Sequence, residues 1–135
     1  SLEAREAFLA AFTESANPPR LALATLGGVF GEGVDLAGDR LIAVTVVGVG
    51  LPRVGIEREL LRAYYEETYG EGFAYAYQIP GMNRVIQAVG RLIRTPTDRG
   101  AALLMDTRFH REEYRRLFPP WWRPIWASER QARGG

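Results

Sequence analysis

Apolar and polar positions along this chain fall into short periodic blocks, and the most regular lies past its middle. Met82, Ile86, Val89 and Ile93 recur at spacings of four, three and four, which predicts one buried face of a helix. Gln87, Arg91 and Arg94 recur at four and three on a second face, rotated by roughly 130° at about 100° per residue. Pro80 suits the first turn, where its missing N–H has no partner to lose. Pro96 stops the helix, and Asp98-Arg99-Gly100 supplies a turn. A mid-helix glycine such as Gly90 costs about 1 kcal/mol against alanine, and its absent side chain would let another group approach the backbone beside Arg91. The plain alternative is an amphipathic helix with a solvated basic face.

The other blocks are shorter. Leu2 to Ser15 reads as a helix with Leu2, Arg5, Phe8, Leu9 and Phe12 along one side, ended by Asn17-Pro18-Pro19. Residues 20–25 form an apolar run whose flanking prolines and glycines favour a buried strand over a helix. Residues 40–49 are nearly all apolar or β-branched and predict a central parallel strand, closed by Gly50-Leu51-Pro52. Gly55 to Tyr69 is helical, with Ile56, Leu60, Ala63 and Tyr64 expected on its inner side. After Gly70-Glu71-Gly72, residues 73–79 read as an extended run into Pro80. Their alternating aromatics suit packing first and a base-stacking platform second. Ala101 to Met105 predicts another buried strand, ending at Asp106-Thr107-Arg108, and Glu112 to Leu117 a short helix. Phe118 to Trp126, rich in proline and tryptophan, reads as an apolar clasp over the core, with partner binding as the alternative. Residues 127–135 have little to anchor them and are expected to be a mobile tail.

Alternating strands and helices predict an α/β fold. Three visible strands fall short of the roughly five or six of an ordinary sheet.

Composition narrows the chemistry. A chain of 135 residues, 47% hydrophobic and 24% charged, predicts one soluble domain, residues 1–126 before the tail. No run approaches the roughly 18 apolar residues of a membrane span, and the acidic start Ser1-Leu2-Glu3 has no signal-peptide pattern, so a cytoplasmic location is expected. With no cysteine, disulfides, zinc-thiolate sites and iron–sulfur ligands are excluded within the chain, and no metal site is expected in it. All 17 basic residues are arginine, so the phosphate loop that needs a lysine is absent. There is no Asp-Glu-x-His box either, and His110 is the lone histidine. The net charge of +1 gives no bulk case for nucleic acid. Its distribution is uneven: six arginines and ten acids in residues 1–67 (−4), eleven arginines and six acids in residues 68–135 (+5).

Five glycines among residues 26–38 make a loop that needs close approach or positive φ. A tight connection between strands is the ordinary reading. A dinucleotide fingerprint requires G-x-G-x-x-G opening a helix, and Gly31-x-Gly33 is followed by Val34-Asp35-Leu36, so it fails on spacing and context.

Phe30-Gly31-Glu32-Gly33-Val34-Asp35 resembles the F-x-E-G-[VI]-D motif V of the DinG/XPD branch of superfamily 2 helicases. Gln87-Ala88-Val89-Gly90-Arg91-Leu92-Ile93-Arg94 is similar to their Q-x-x-G-R-x-x-R motif VI, and Asp98-Arg99-Gly100 to the D-x-G that follows it. The G-x-P after the second strand and the D-x-R at Asp106 and Arg108 also match, the latter as a strand-end ion pair bracing the motif VI helix. The likeness covers residues 20–124, with both motifs in order.

That resemblance implies the second, C-terminal RecA-like (P-loop NTPase-type) domain: a mostly parallel sheet with helices on both faces, truncated here on its N-terminal side. It implies an ATP-dependent DNA helicase in which Gln87 positions the γ-phosphate or attacking water and Arg91 and Arg94 are arginine fingers. A finger is worth about 10³–10⁵ in rate, or about 4–7 kcal/mol. Glu32, Gly33, Asp35 and Gly90 would line the nucleotide cleft. ATP and Mg²⁺ would sit mainly on the first RecA-like domain of the same protein, and single-stranded DNA would be the substrate track. Thr25 matches a strand-end threonine that touches a DNA phosphate; a satisfied strand-end hydroxyl is its equal alternative. This chain alone is expected to be inactive. Two further classes stay open: a non-catalytic nucleic-acid-binding module, and a degenerate helicase relative serving as an interaction scaffold.

Overall fold

The computed structural model describes residues 2–11, 19–28, 41–93 and 97–127. In chain order these form helix α1 (Leu2–Ala11), strand β1 (Ala43–Val47), helix α2 (Ile56–Tyr69), a π-helical segment (Ala74–Gln78), helix α3 (Ile79–Val89), strand β2 (Ala101–Met105), a 3₁₀ turn (Thr107–His110) and the short helix α4 (Glu112–Arg115). No described helix is long and apolar enough to cross a membrane.

β1 and β2 pair in parallel, Ala43 against Ala101 through Val47 against Met105. Parallel neighbours need a long crossover, and α2, the π-helical segment and α3 provide it. Because side chains alternate across a strand, Val44, Val46 and Leu104 turn toward α3. They join Val49, Met82, Val85, Phe109 and Tyr114 in the core. The opposite face holds Thr45 against Leu103 and Val47 against Met105; Val47 is 77% and Leu103 55% exposed. The expected helices on both faces are therefore seen on one face among the described residues.

The α3 helix closes on the chain just after β1 through backbone contact. A Cβ added to Gly50 would lie 2.6 Å from the Gly81 carbonyl oxygen, and one added to Gly81 would lie 2.6 Å from that of Val49. Only glycine at both positions allows that approach, and Gly50 also holds φ at +66°. Met82 and Val85 then drop fully into the core.

Several expectations change. Residues 20–25 form no strand, and Leu21 and Leu23 are exposed; a strand exists only as part of a ladder, and no described neighbour pairs with this run. The strand expected over residues 40–49 shortens to five residues. On α2, Ile56, Leu60, Ala63 and Tyr64 face outward, and the helix has no buried residue. On α3 Met82 and Val85 are buried while Ile86 and Val89 are half-buried; in the turn beyond it Leu92 is buried and Ile93 exposed. The apolar side is thus turned toward Val85. The helix predicted for residues 2–15 is seen as α1, and residues 12–18 lie outside the described residues.

Residues 73–79 are helical rather than extended. Burial alternates only as far as Ala76: Ala74 and Ala76 point inward and Phe73 and Tyr75 out, and then Tyr77 and Gln78 are both buried. The chain passes straight into α3, so Pro80 sits inside a longer helical run. It has no N–H for the Ala76 carbonyl one turn back. Arg58 Nη1 donates to that oxygen at 3.2 Å instead, and the π-helical turn absorbs the break. Gln78, the one buried polar side chain among the described residues, donates through Nε2 to the Glu113 carbonyl at 2.6 Å.

Phe118 stacks on Trp126 and tilts against Phe109 and Trp122, so part of the expected clasp forms. Trp121 and Ile125 point away from it. Residues 128–135 of the expected tail lie outside the described residues.

Candidate functional site

With Met82 and Val85 in the core, the opposite side of α3 is presented to solvent. Gln87 is exposed there and Arg91 is half-buried. The helix ends sooner than its pattern suggested. Gly90 is the C-terminal cap, in ordinary right-handed geometry, with its N–H on the Ile86 carbonyl at 2.8 Å. Arg91 and Leu92 continue as a tightened turn, their N–H groups reaching Ala88 O at 3.4 Å and Val89 O at 3.0 Å. Gly90 is therefore a helix end rather than a mid-helix weak point, and its exposure leaves the backbone beside Arg91 open to a ligand. Leu92 pins this end by packing over Gly100 at the start of β2. Gln87, Gly90 and Arg91 are thus brought together within one turn.

The other nominated residues divide. Thr25 is exposed, in a turn closed by a 2.9 Å bond from the Gly28 N–H to its carbonyl. Glu32, Gly33, Asp35 and Arg94 lie outside the described residues.

At the carboxyl end of β2, Asp106 and Arg108 form the predicted ion pair. Arg108 Nε donates to Asp106 Oδ1 at 2.9 Å and Nη2 to Oδ2 at 2.8 Å, a two-pronged fit. The Arg108 backbone N–H also donates to Oδ1 at 2.9 Å, so the carboxylate caps the 3₁₀ turn. These hydrogen bonds hold the Asp106 carboxyl below its ordinary range and raise the Arg108 guanidinium. The pair braces the turn that places Phe109 in the core, rather than α3 directly.

Two features had weak sequence signals. The Tyr77 hydroxyl donates to Glu59 Oε1 at 2.5 Å, and that bond, followed by desolvation, raises the phenol above its usual value. The other is Arg84, three residues before Gln87 and seven before Arg91, which continues their stripe by one helical turn.

A glycine-sealed helix packed on a parallel sheet, with Gln87 exposed and Arg84 and Arg91 half-buried along its far side, defines an α/β domain. The sequence matches the Helicase C-terminal domain family over residues 1–125. The chain belongs to that family, in its DinG/XPD-like superfamily 2 branch. It is 32% identical over 110 residues to the regulator of telomere elongation helicase 1 homolog of Caenorhabditis elegans, covering 75% of this chain and 11% of that protein. It is 36% identical over 89 residues to the ATP-dependent DNA helicase DinG of Photobacterium profundum, covering 64% of this chain and 13% of that protein. With the Fanconi anemia group J protein homolog of Gallus gallus it shares 35% identity over 95 residues, 66% of this chain and 8% of that protein. The chain thus spans about a tenth of the length of these relatives.

Proposed function

We propose that this chain is part of the second RecA-like domain of an ATP-dependent DNA helicase, and that it completes a nucleotide site whose phosphate-binding half belongs to a first RecA-like domain of the same protein. The supporting observation is the placement of Gln87, Gly90 and Arg91 together at the carboxyl end of α3, on a helix locked to the chain just after β1 by the Gly50–Gly81 contact. The absence of lysine from the chain fits this division, because the phosphate-loop lysine has to come from elsewhere.

In this reading the γ-phosphate lies against α3. Gln87 orients it or the attacking water, and Arg91 and Arg94 donate their forked N–H groups to its oxygens as charge builds in the transition state. Glu32, Gly33 and Asp35 line the same cleft, and Gly90 leaves room for the phosphate beside the backbone. ATP and its Mg²⁺ are held mainly by the first domain. Thr25, exposed near the carboxyl end of β1, contacts a phosphate of single-stranded DNA; ligands of open α/β sheets gather at that edge.

The test is ATP hydrolysis by the full-length parent with and without single-stranded DNA, beside the isolated chain. The expected result is DNA-stimulated hydrolysis by the parent and none by the chain. A parent that binds single strands but does not hydrolyse ATP would overturn the catalytic reading in favour of a binding module.

A further inference from the structure

Arg84 joins three parts of the molecule that the sequence keeps far apart. Its side chain lies flat across Gly27: a Cβ built there would meet Nε at 3.0 Å and both Cδ and Cζ at 3.2 Å. Gly27 holds φ at +82°, so the Thr25–Gly28 turn is shaped to leave that space. From the same side chain Nη1 donates to the Gly50 carbonyl at 3.5 Å, just beyond β1. Leu26 of the turn packs over Gly50, where a Cβ would come within 2.9 Å of its Cδ2. The turn, the end of β1 and the first half of α3 therefore meet on one arginine. That arginine shares a side of α3 with Gln87 and Arg91.

We propose that Arg84 is a positioning residue: it clamps the Thr25–Gly28 turn to α3, so that a displacement of the turn is passed along the helix to Gln87 and Arg91. The clamp links the DNA side to the nucleotide side, and this inference rests on the function proposed above. A flat guanidinium suits the task, because it covers the glycine with its face while one edge reaches a carbonyl. α3 and the Val49–Gly50 backbone respond as one unit, because they meet at Gly81 and the helix is buried at Met82 and Val85.

The test measures coupling, which a merely structural residue would not change. In the full-length parent, the affinity for single-stranded oligonucleotide is measured with and without a non-hydrolysable ATP analogue. Coupled sites typically give a ratio of about fivefold or more. Arg84→Ala is expected to bring that ratio close to one. Arg84→Lys keeps the charge and the fold but loses the flat face, and is expected to do the same. Gly27→Ala pushes a methyl group into Arg84 and should reproduce the effect, with the double variant Gly27→Ala, Arg84→Lys no worse than either single change. An unchanged ratio in Arg84→Lys, even with both affinities weakened, overturns the clamp while leaving the helicase reading intact. A wild-type parent that shows no coupling between nucleotide and DNA overturns both.

Discussion

Helices α2 and α3 both carry an apolar stripe on one side, yet they are held in opposite ways. The α3 stripe is in the core, with Met82 and Val85 fully buried and Gly81 against the backbone just after β1. The α2 stripe of Ile56, Leu60 and Tyr64 is open to solvent, Ile56 at 83% and Leu60 at 66% exposure. The other side of α2 is tied down by polar and aromatic contacts. Arg58 reaches Ala76 O, Glu59 accepts from Tyr77, Glu66 accepts from the Gly72 N–H at 2.8 Å, and Tyr65 stacks on Tyr75. An apolar stripe says that a helix has a face to bury; it does not say which neighbour will bury it.

The largest expected effect breaks the α3 side of this contrast. Met82→Ala removes a fully buried side chain from the core and should destabilise by about 2–5 kcal/mol, read from urea unfolding. The next tests the polar brace at the end of β2. Asp106→Asn should cost about 1–2 kcal/mol at pH 7, a range that allows for the partly exposed Arg108. Its pH dependence has a definite sign. The folded-state pKa of Asp106 is lowered, so the contribution is fully present above the ordinary carboxylate pKa of about 4. It is lost as pH falls through the lowered folded value. The gap between wild type and Asp106→Asn in unfolding free energy should therefore close on acidification; a gap that stays constant would show that the carboxylate charge is not what matters. Smallest of all, Leu60→Ser should change stability by no more than about 0.5 kcal/mol. A loss of several kcal/mol there would mean that the outer face of α2 is covered in solution.

Much of the molecule could be read from local pattern. Met82 and its neighbours announce α3, Ala101 to Met105 announce β2, and Asp106 with Arg108 announce an ion pair that is two-pronged in the fold. Local pattern misleads where the outcome depends on distant partners. Residues 20–25 looked like a strand because they are apolar between turn formers, but a ladder needs a neighbour that the run itself cannot specify. Residues 73–77 alternate in side-chain size with a period of two, which suggests an extended run, but Ala76, Tyr77 and Gln78 are buried in succession on a π-helical turn. The rotation of α3 toward Val85 follows from Gly81 meeting Val49 and Gly50, a contact across more than thirty positions of sequence. At the site, a sequence motif singles out Gln87, Gly90 and Arg91, and the end of α3 places them about one turn apart. Arg84 belongs to no motif, and its role emerges only once Gly27 and Gly50 are seen beside it.

The central claim, that the open end of α3 supplies arginines to a nucleotide bound on another domain, is tested most directly by steady-state ATP hydrolysis of the full-length parent carrying Arg91→Lys or Arg94→Lys, at saturating single-stranded DNA. Each change keeps the charge and removes the fork. The account predicts a fall in kcat of about 10³-fold or more, with the fold intact by circular dichroism. Hydrolysis at near wild-type rates in both variants would contradict it.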